Sequence, residues 1–300
     1  MYVITGATGH TGSVAARTLL SRGQKVRAIG RSADRLQPLT SAGAEPFVAD
    51  VTDAKRLSEA FRGAQAVYAM IPPNIQSNDV RGYQEQVSDV ISSAIANAKV
   101  PLVVLLSSIG ADKPDKTGPV VGLHNFEQKL NRIDGTNVLH LRAGYFMENT
   151  LAQVNAIKAV GKSAGPLRPD LKVPMIATQD IGTAVAEFLL HPKFQGKQTH
   201  ELLGQRDLNM TEAAAIIGKS IGKPGLEYVQ LPDEQLRPAL IQFGMSQNMV
   251  GLLLEMARAL NSGYMRALEP RSPTNSTSTS YEQFVNENFV PIFKQQSTAA

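Results

Sequence analysis

Cysteine is absent from all 300 residues, which removes disulfides, thiol nucleophiles and cysteine-ligated metals and leaves redox usage silent about compartment. Long apolar runs are missing too: the most extended, such as Val100 to Leu106, is far shorter than a membrane span. The 30 basic and 26 acidic residues leave a net charge of +4, but they are scattered, so direct nucleic-acid binding is not expected. No serine-hydrolase elbow or Walker lysine occurs, and His140, His191 and His200 lack metal-ligand spacing, so no metal is expected. A glycine turn beginning at Gly6 leaves no room for a signal peptide, which predicts a cytoplasmic protein. There is no internal repeat.

What remains is a chain with 43% hydrophobic and 19% charged residues, enough to bury a substantial core. Its organising stretch is Thr5 to Gly12. The short β-prone Tyr2-Val3-Ile4 precedes it, and Ser13 to Leu20 follows with helical spacing. Strand, glycines and helix make an anion site: Gly6 allows a sharp turn, Gly9 lets the backbone approach a pyrophosphate, and Gly12 lets the helix pack close to the sheet. The spacing is G-x-x-G-x-x-G rather than G-x-G-x-x-G, and without context such a turn is equally a plain strand-to-helix connection.

The context is repetition. Strands are expected at 25–29, 45–49, 65–71, 101–106 and 136–141, with helices between them, Asp53 capping one of these and the stripe Val87, Val90, Ile91, Ile95 defining the long one from Val80 to Ala98. Leu123 to Ile133 is another helix. Six such units predict an α/β fold with a Rossmann doubly wound parallel sheet over residues 1–150. Residues 151–300 form a smaller, mostly helical substrate or partner region, with segments around 175–204 returning to the core. Within it, 161–174 reads as a loop, 179–190 as a helix and 200–203 as a return to the sheet. The helix Asn248 to Leu260 is apolar nearly all round, to be buried inside the monomer, over a substrate or in a homodimer contact. Thr279 with Glu282 suggests a capping box before a last helix that docks through Phe284, Val285 and Phe289.

Ligands of such sheets sit beyond the carboxyl ends of the strands. After the second strand stands Arg31, where an NAD site commonly has an acidic residue; an arginine suits a 2′-phosphate, so NADP(H) is expected over NAD(H), the alternative being a solvated side chain. Arg35 is a candidate helper. Asp50 either accepts from the adenine amine, with Val51 lining the ring, or serves a turn. Met70, Ile71 and Pro72 are placed to run beside the dinucleotide.

These residues resemble the NmrA-like family of atypical short-chain dehydrogenases/reductases, which also includes bacterial quinone and dye reductases. The likeness covers most of the chain and is carried by Gly6-Ala7-Thr8-Gly9-His10-Thr11-Gly12, Asp50-Val51, Ser107-Ser108-Ile109-Gly110, His124 to Leu130, and Arg142-Ala143-Gly144-Tyr145-Phe146-Met147-Glu148-Asn149. It implies NADP(H) held by Gly6, Thr8, Gly9, His10, Thr11 and Gly12, with Ser107 at the nicotinamide ribose or amide. Standard members use Tyr-x-x-x-Lys, in which lysine lowers the phenol's pKa for proton exchange with a carbonyl. Here Lys129 holds the lysine position while Asn125, which cannot relay a proton, holds that of tyrosine. Lys129 is therefore a candidate to fix the ribose or donate a proton, and His124 the candidate substitute acid; each is equally readable as an ordinary helix residue. Tyr145 and Phe146 are expected to contact nicotinamide and substrate, or to pack in the core, and Asn149 to bond a substrate carbonyl. Two functions stay open: an NADPH-dependent reductase of a small quinone-like or conjugated acceptor, which takes its proton from water, or an NADP(H) sensor acting through a regulatory protein partner.

Overall fold

The computed structural model describes residues 1–295; the last five residues of the expected 151–300 region lie outside it. The first half alternates strand and helix: β1 (Tyr2–Ile4), α1 (His10–Ser21), β2 (Val26–Gly30), α2 (Ala33–Thr40), β3 (Glu45–Val48), α3 (Ala54–Ala60), β4 (Ala66–Ala69), α4 (Val80–Ala98), β5 (Leu102–Ser108), α5 (Val120–Asn131) and β6 (Asn137–Ala143). Caps bound several helices, among them the Asp53 cap expected from the sequence. The Asp53 carboxylate accepts from the Arg56 amide at the start of α3, and Asp79 accepts from Gly82 at the start of α4, which ends at Lys99 in the left-handed region.

The second half is less regular. It comprises β7 (Tyr145–Phe146), a 3-10 turn, α6 (Gln153–Val160), β8 (Ser163–Gly165), β9 (Val173–Ile176), α7 (Thr178–Leu190), β10 (Lys197–Leu202), β11 (Arg206–Leu208), α8 (Met210–Ser220), β12 (Tyr228–Gln230), α9 (Asp233–Gln242) and α10 (Gln247–Asn261). A long loop then leads to α11 (Tyr281–Phe284), which runs through a π turn into α12 (Val290–Gln295).

Seven parallel strands form one sheet in the order β10-β6-β5-β4-β1-β2-β3. Alternation along each strand sends neighbours to opposite faces. Ile4, Tyr68 and Val104 pack with Ala15 and Leu19 of α1 and with Ile181 and Val185 of α7, while Val3, Val67 and Val103 pack with Leu57 of α3, Ile91 of α4 and Phe126 of α5. Burying a side chain of this size stabilises by roughly 1.5–3 kcal/mol, so both faces contribute to one cooperative unit. Residues 178–202 leave the C-terminal half to complete it, with β10 pairing β6 as the edge strand.

Two sequence expectations need correction. The 161–174 segment is not all loop: Ser163–Gly165 pairs in parallel with Tyr228–Gln230, and β9 begins at Val173 to bridge β7 and β11. Glycine and proline content concealed strands only three or four residues long. The last helix is capped by Ser280, which accepts from the Gln283 amide, not by a Thr279–Glu282 box. Thr279 instead donates its amide and hydroxyl to Asp180 at the start of α7, and Glu282 pairs with Arg206. Phe284, Val285 and Phe289 are buried in the C-terminal core as expected.

Candidate functional site

The glycine turn sits at the carboxyl end of the central β1. Gly6 adopts φ +59°, and a Cβ there would lie 2.6 Å from the Met70 sulfur. At Gly12 a Cβ would lie 2.4 Å from the Gly6 carbonyl oxygen, a backbone atom that cannot move aside. These two positions set the turn flat against the start of α1. Gly9 is the N-cap residue and offers no side chain to its helix, so the first amides of α1 have no capping oxygen from it. A concave backbone with donor groups facing outward fits a pyrophosphate.

The Thr11 hydroxyl lies 2.8 Å from the Tyr68 phenol in the sheet interior, so this side chain anchors the turn to the sheet. Thr5 ties the turn to β4 by donating to the Tyr68 carbonyl at 3.0 Å and accepting from the Met70 amide at 3.1 Å. Thr8 packs its methyl toward Gly30, and His10 is exposed.

Arg31 is exposed just past β2 and makes no hydrogen bond or ion pair among the described residues. Asp50 accepts from the amide and hydroxyl of Thr52 at 2.9 and 2.7 Å, the turn role weighed in the sequence, while Val51 is buried beneath. Tyr83, in the first turn of α4, was not expected. Burial raises its phenol pKa, Asp50 raises it further and Arg31 opposes, so the ring stands within the field of both residues.

A cavity of about 650 Å³ opens beside the cradle, along the carboxyl ends of β4, β5 and β6. Met70, Ile71 and Pro72 line it after β4, Ser107 and Ile109 at and after β5, and Tyr145, Phe146 and Asn149 after β6. Burial pushes the Tyr145 phenol up to about 12, so it stays protonated. The far wall is α10, contributing Met249, Met256 and Leu260. That helix is apolar nearly all round because it has several apolar neighbours: Val250 and Leu254 pack with Leu236 of α9, and the Leu252 carbonyl lies against Gly118. One side of the helix is thus packed within the chain and another faces the cavity.

Behind Ser107, beneath the cavity floor, lies a buried charge pair. Glu127 of α5 is 2% exposed and takes a two-pronged bond from Arg142, Nε to Oε1 at 3.0 Å and Nη2 to Oε2 at 2.6 Å. The Ser107 hydroxyl donates to the same Oε1 at 2.6 Å. A carboxylate only accepts, so the serine's proton points into the protein and its lone pairs are what it offers the cavity. Sequence reasoning passed over Glu127, although it shares the buried stripe of Val120, Phe126 and Leu130.

Lys129 and His124 are not brought to the cavity, and both expectations are revised. The Lys129 ammonium is held by Glu85 at 2.7 Å, Asp89 at 2.6 Å and the Ser88 hydroxyl at 2.9 Å, on the side of α5 that packs against α4. Asn125, one turn earlier, faces the same way, beside Arg81 and Glu85. His124 has Nδ1 2.8 Å from the Ala111 carbonyl, where it supports the loop after β5.

A doubly wound sheet with a glycine cradle at β1 and a cavity along the adjoining strand ends defines a dinucleotide-binding class of fold. Within it, a model of the NmrA-like family matches residues 2–288, and the chain belongs to that family. It is 26% identical over 260 residues to an NAD(P)H azoreductase of Xenophilus azovorans, covering 85% of this chain and 86% of that one. A second relative is the (4-alkanoyl-5-oxo-2,5-dihydrofuran-3-yl)methyl phosphate reductase of Streptomyces griseus, 25% identical with 80% of each chain covered. Among solved structures, the NADPH complex of an NADPH-dependent quinone oxidoreductase from Escherichia coli superposes with a TM-score of 0.81 at 25% identity, covering 96% of this chain and all of that one. The Citrobacter triphenylmethane reductase with NADP(H) shares the fold, with a TM-score of 0.76 at 17% identity over 96% of this chain and 99% of that one.

Proposed function

We propose that this protein is an NADPH-dependent reductase that delivers hydride to a small quinone-like or conjugated acceptor. In this reading the site lies between a dinucleotide-binding half, residues 1–150, and a C-terminal substrate region. The backbone around Gly6, Gly9 and Gly12 holds the pyrophosphate, with Thr8, His10 and the Thr11 amide beside it. Arg31 takes the 2′-phosphate with a guanidinium that has no internal partner to give up. Asp50, Val51 and Tyr83 border the adenine, and Met70, Ile71, Pro72 and Ser107 lead to the nicotinamide end. When bound, the reduced dinucleotide supplies the hydride.

The observation that carries the reading is the chemistry of the cavity floor. The only hydroxyl there tied to a buried carboxylate, Ser107, has its proton committed to Glu127, so it accepts from a ligand and does not protonate one. The position expected for a relay tyrosine is Asn125, turned toward α4. A simple ketone would find no lysine-activated phenol at its oxygen: burial raises the pKa of Tyr145 and Tyr83, which line the cavity, and Lys129 is committed to Glu85 and Asp89. A quinone or azo compound delocalises the incoming charge and takes its proton from water, so positioning between Phe146, Tyr145 and the methionines of α10 suffices. The same names recur among the relatives: azoreductase and quinone oxidoreductase.

The test is to follow the absorbance of reduced nicotinamide with NADPH and a panel of quinones, azo dyes, enones and simple ketones. Turnover of the first two without the last supports the proposal. Tight NADPH binding with no turnover across the panel would instead support an NADP(H) sensor working through a protein partner. Arg31→Asp should lower the preference for NADPH over NADH about tenfold, on the order expected for a charged hydrogen bond; equal weakening of both would remove the 2′-phosphate role.

A further inference from the structure

The reductase reading leaves the acceptor's chemistry broad, and the charged residues of the cavity wall narrow it. Lys172, just before β9, Asp207 of β11 and Arg266, after α10, line the cavity. Asp207 pairs with Arg271, whose guanidinium also bonds the carbonyls of Leu203 and Gly204. Lys172 pairs with Glu212 at 3.4 Å. Arg266 has neither a hydrogen bond nor an ion pair among the described residues. Its backbone is held in place, because the preceding Met265 is 6% exposed and packs against Gly110, just past β5. The wall thus presents one uncompensated cation beside the apolar surface of Met256, Leu260 and Met265.

An arginine at the end of an apolar slot suits a planar anion: the ring is desolvated against methionine and proline, and the guanidinium meets a carboxylate, sulfonate or phosphate in a forked, charge-assisted contact. A neutral ring would leave that cation with water alone. We propose that the acceptor is an aromatic or conjugated anion whose acidic group docks on Arg266 while its ring lies over the nicotinamide end of the cavity. This rests on the reductase reading of the same site but concerns recognition, not hydride transfer.

The two are separable by measuring binding and turnover side by side. Calorimetric titrations in the presence of NADP+ would use naphthalene-2-sulfonate and the neutral 2-naphthalenemethanol on the wild type, Arg266→Gln, Arg266→Lys and Lys172→Gln. Arg266 is exposed and unpaired, so its replacement should leave folding intact. The wild type is expected to favour the sulfonate by about tenfold, the discount on a full charged hydrogen bond reflecting solvent exposure. That ratio should fall to near one in Arg266→Gln, be partly kept in Arg266→Lys and be largely kept in Lys172→Gln. A ratio near one in the wild type, one that survives Arg266→Gln, or one lost only in Lys172→Gln overturns the proposal. Turnover of neutral and sulfonated naphthoquinones with NADPH then tells the failures apart. Arginine-dependent sulfonate binding without any turnover strikes the reductase reading alone; turnover without an arginine-dependent preference strikes the anion site alone.

Discussion

In the N-terminal half the central strands are buried on both faces by helices, the edge strand β3 being largely exposed, and charge enters the core at a single supported place, Glu127 with Arg142. The C-terminal half is assembled from strands of two to four residues plus α6, α8, α9 and α10, and is fastened to the sheet by polar clasps. Glu201, 2% exposed on the edge strand β10, accepts from the amides of Leu268 and Glu269, with Oε2 at 2.8 Å from each. Arg271 closes on Leu203, Gly204 and Asp207, and Thr279 donates to Asp180. Apolar burial holds the first half as a block; the second has its own apolar core around Met175, Ile217, Phe284 and Phe289, and directional bonds set it in register over the cavity. The difference suits the division of labour, since a cradle for a constant cofactor must be rigid and the wall over a substrate must be placed by contacts that do not fill the cavity.

The comparison can be broken most strongly at Glu127. Glu127→Ala strands the Arg142 guanidinium beneath the floor and should cost about 3–5 kcal/mol of global stability, read from chemical denaturation; a loss below about 1 kcal/mol would show the pair to be solvated. Next is a pH effect in the same block. Burial pushes His140 down to about 4, with Glu127 opposing and Arg142 and Lys197 assisting, and its Nδ1 has no partner while Nε2 meets Asn131 at 2.8 Å. The unfolded chain takes up a proton near pH 6.5 that the folded one refuses until about pH 4. Stability contributed by neutral His140 is therefore present above about pH 6.5 and is lost as pH falls through that window, by about 3 kcal/mol in total. His140→Gln should flatten the slope of unfolding free energy against pH.

In the second half, Glu201→Gln should cost about 1–3 kcal/mol, because it replaces one carboxylate acceptor facing the part-buried amides of Leu268 and Glu269. Its effect should be local: hydrogen exchange should accelerate at 268–276 and leave α4 and β5 protected, whereas uniform acceleration would mean that the two halves unfold as one. The smallest effect is expected at Lys129. Its partners Glu85 and Asp89 are 48% and 61% exposed, so Lys129→Ala should cost less than about 1 kcal/mol. With its ammonium directed at α4, turnover should stay within about twofold of wild type; a large fall in kcat would return it to the chemistry.

Particular residues show what could be read in advance. The run from Tyr2 to Leu20 revealed itself because strand, glycine turn and helix are local patterns, and Val80–Ala98 was marked by its apolar stripe. Lys129 was not legible as a structural residue because a motif position carries no information on which side of α5 it occupies. Val120, Phe126 and Leu130 define the buried side, and that stripe turns Glu127 inward and Lys129 toward α4. The Ser107–Glu127–Arg142 floor joins three elements, from the end of β5 to the end of β6, and no spacing rule connects them. Short strands such as β8 were hidden because their stability comes from a partner, β12, more than 60 residues away, and not from their own composition.

By itself, the order of residues determined the period of the sheet, the glycine cradle and the identity of the unpaired arginine after β2, because each depends on local backbone geometry or on the residue type following a strand. Tertiary structure alone decided which side chains share the cavity and which way their protons point. That follows from packing: α5 must bury its apolar stripe, and in doing so it commits Ser107 to Glu127, turns Lys129 away from the cavity, and leaves the remaining walls to be built by a C-terminal half whose contacts with the sheet are distant in sequence.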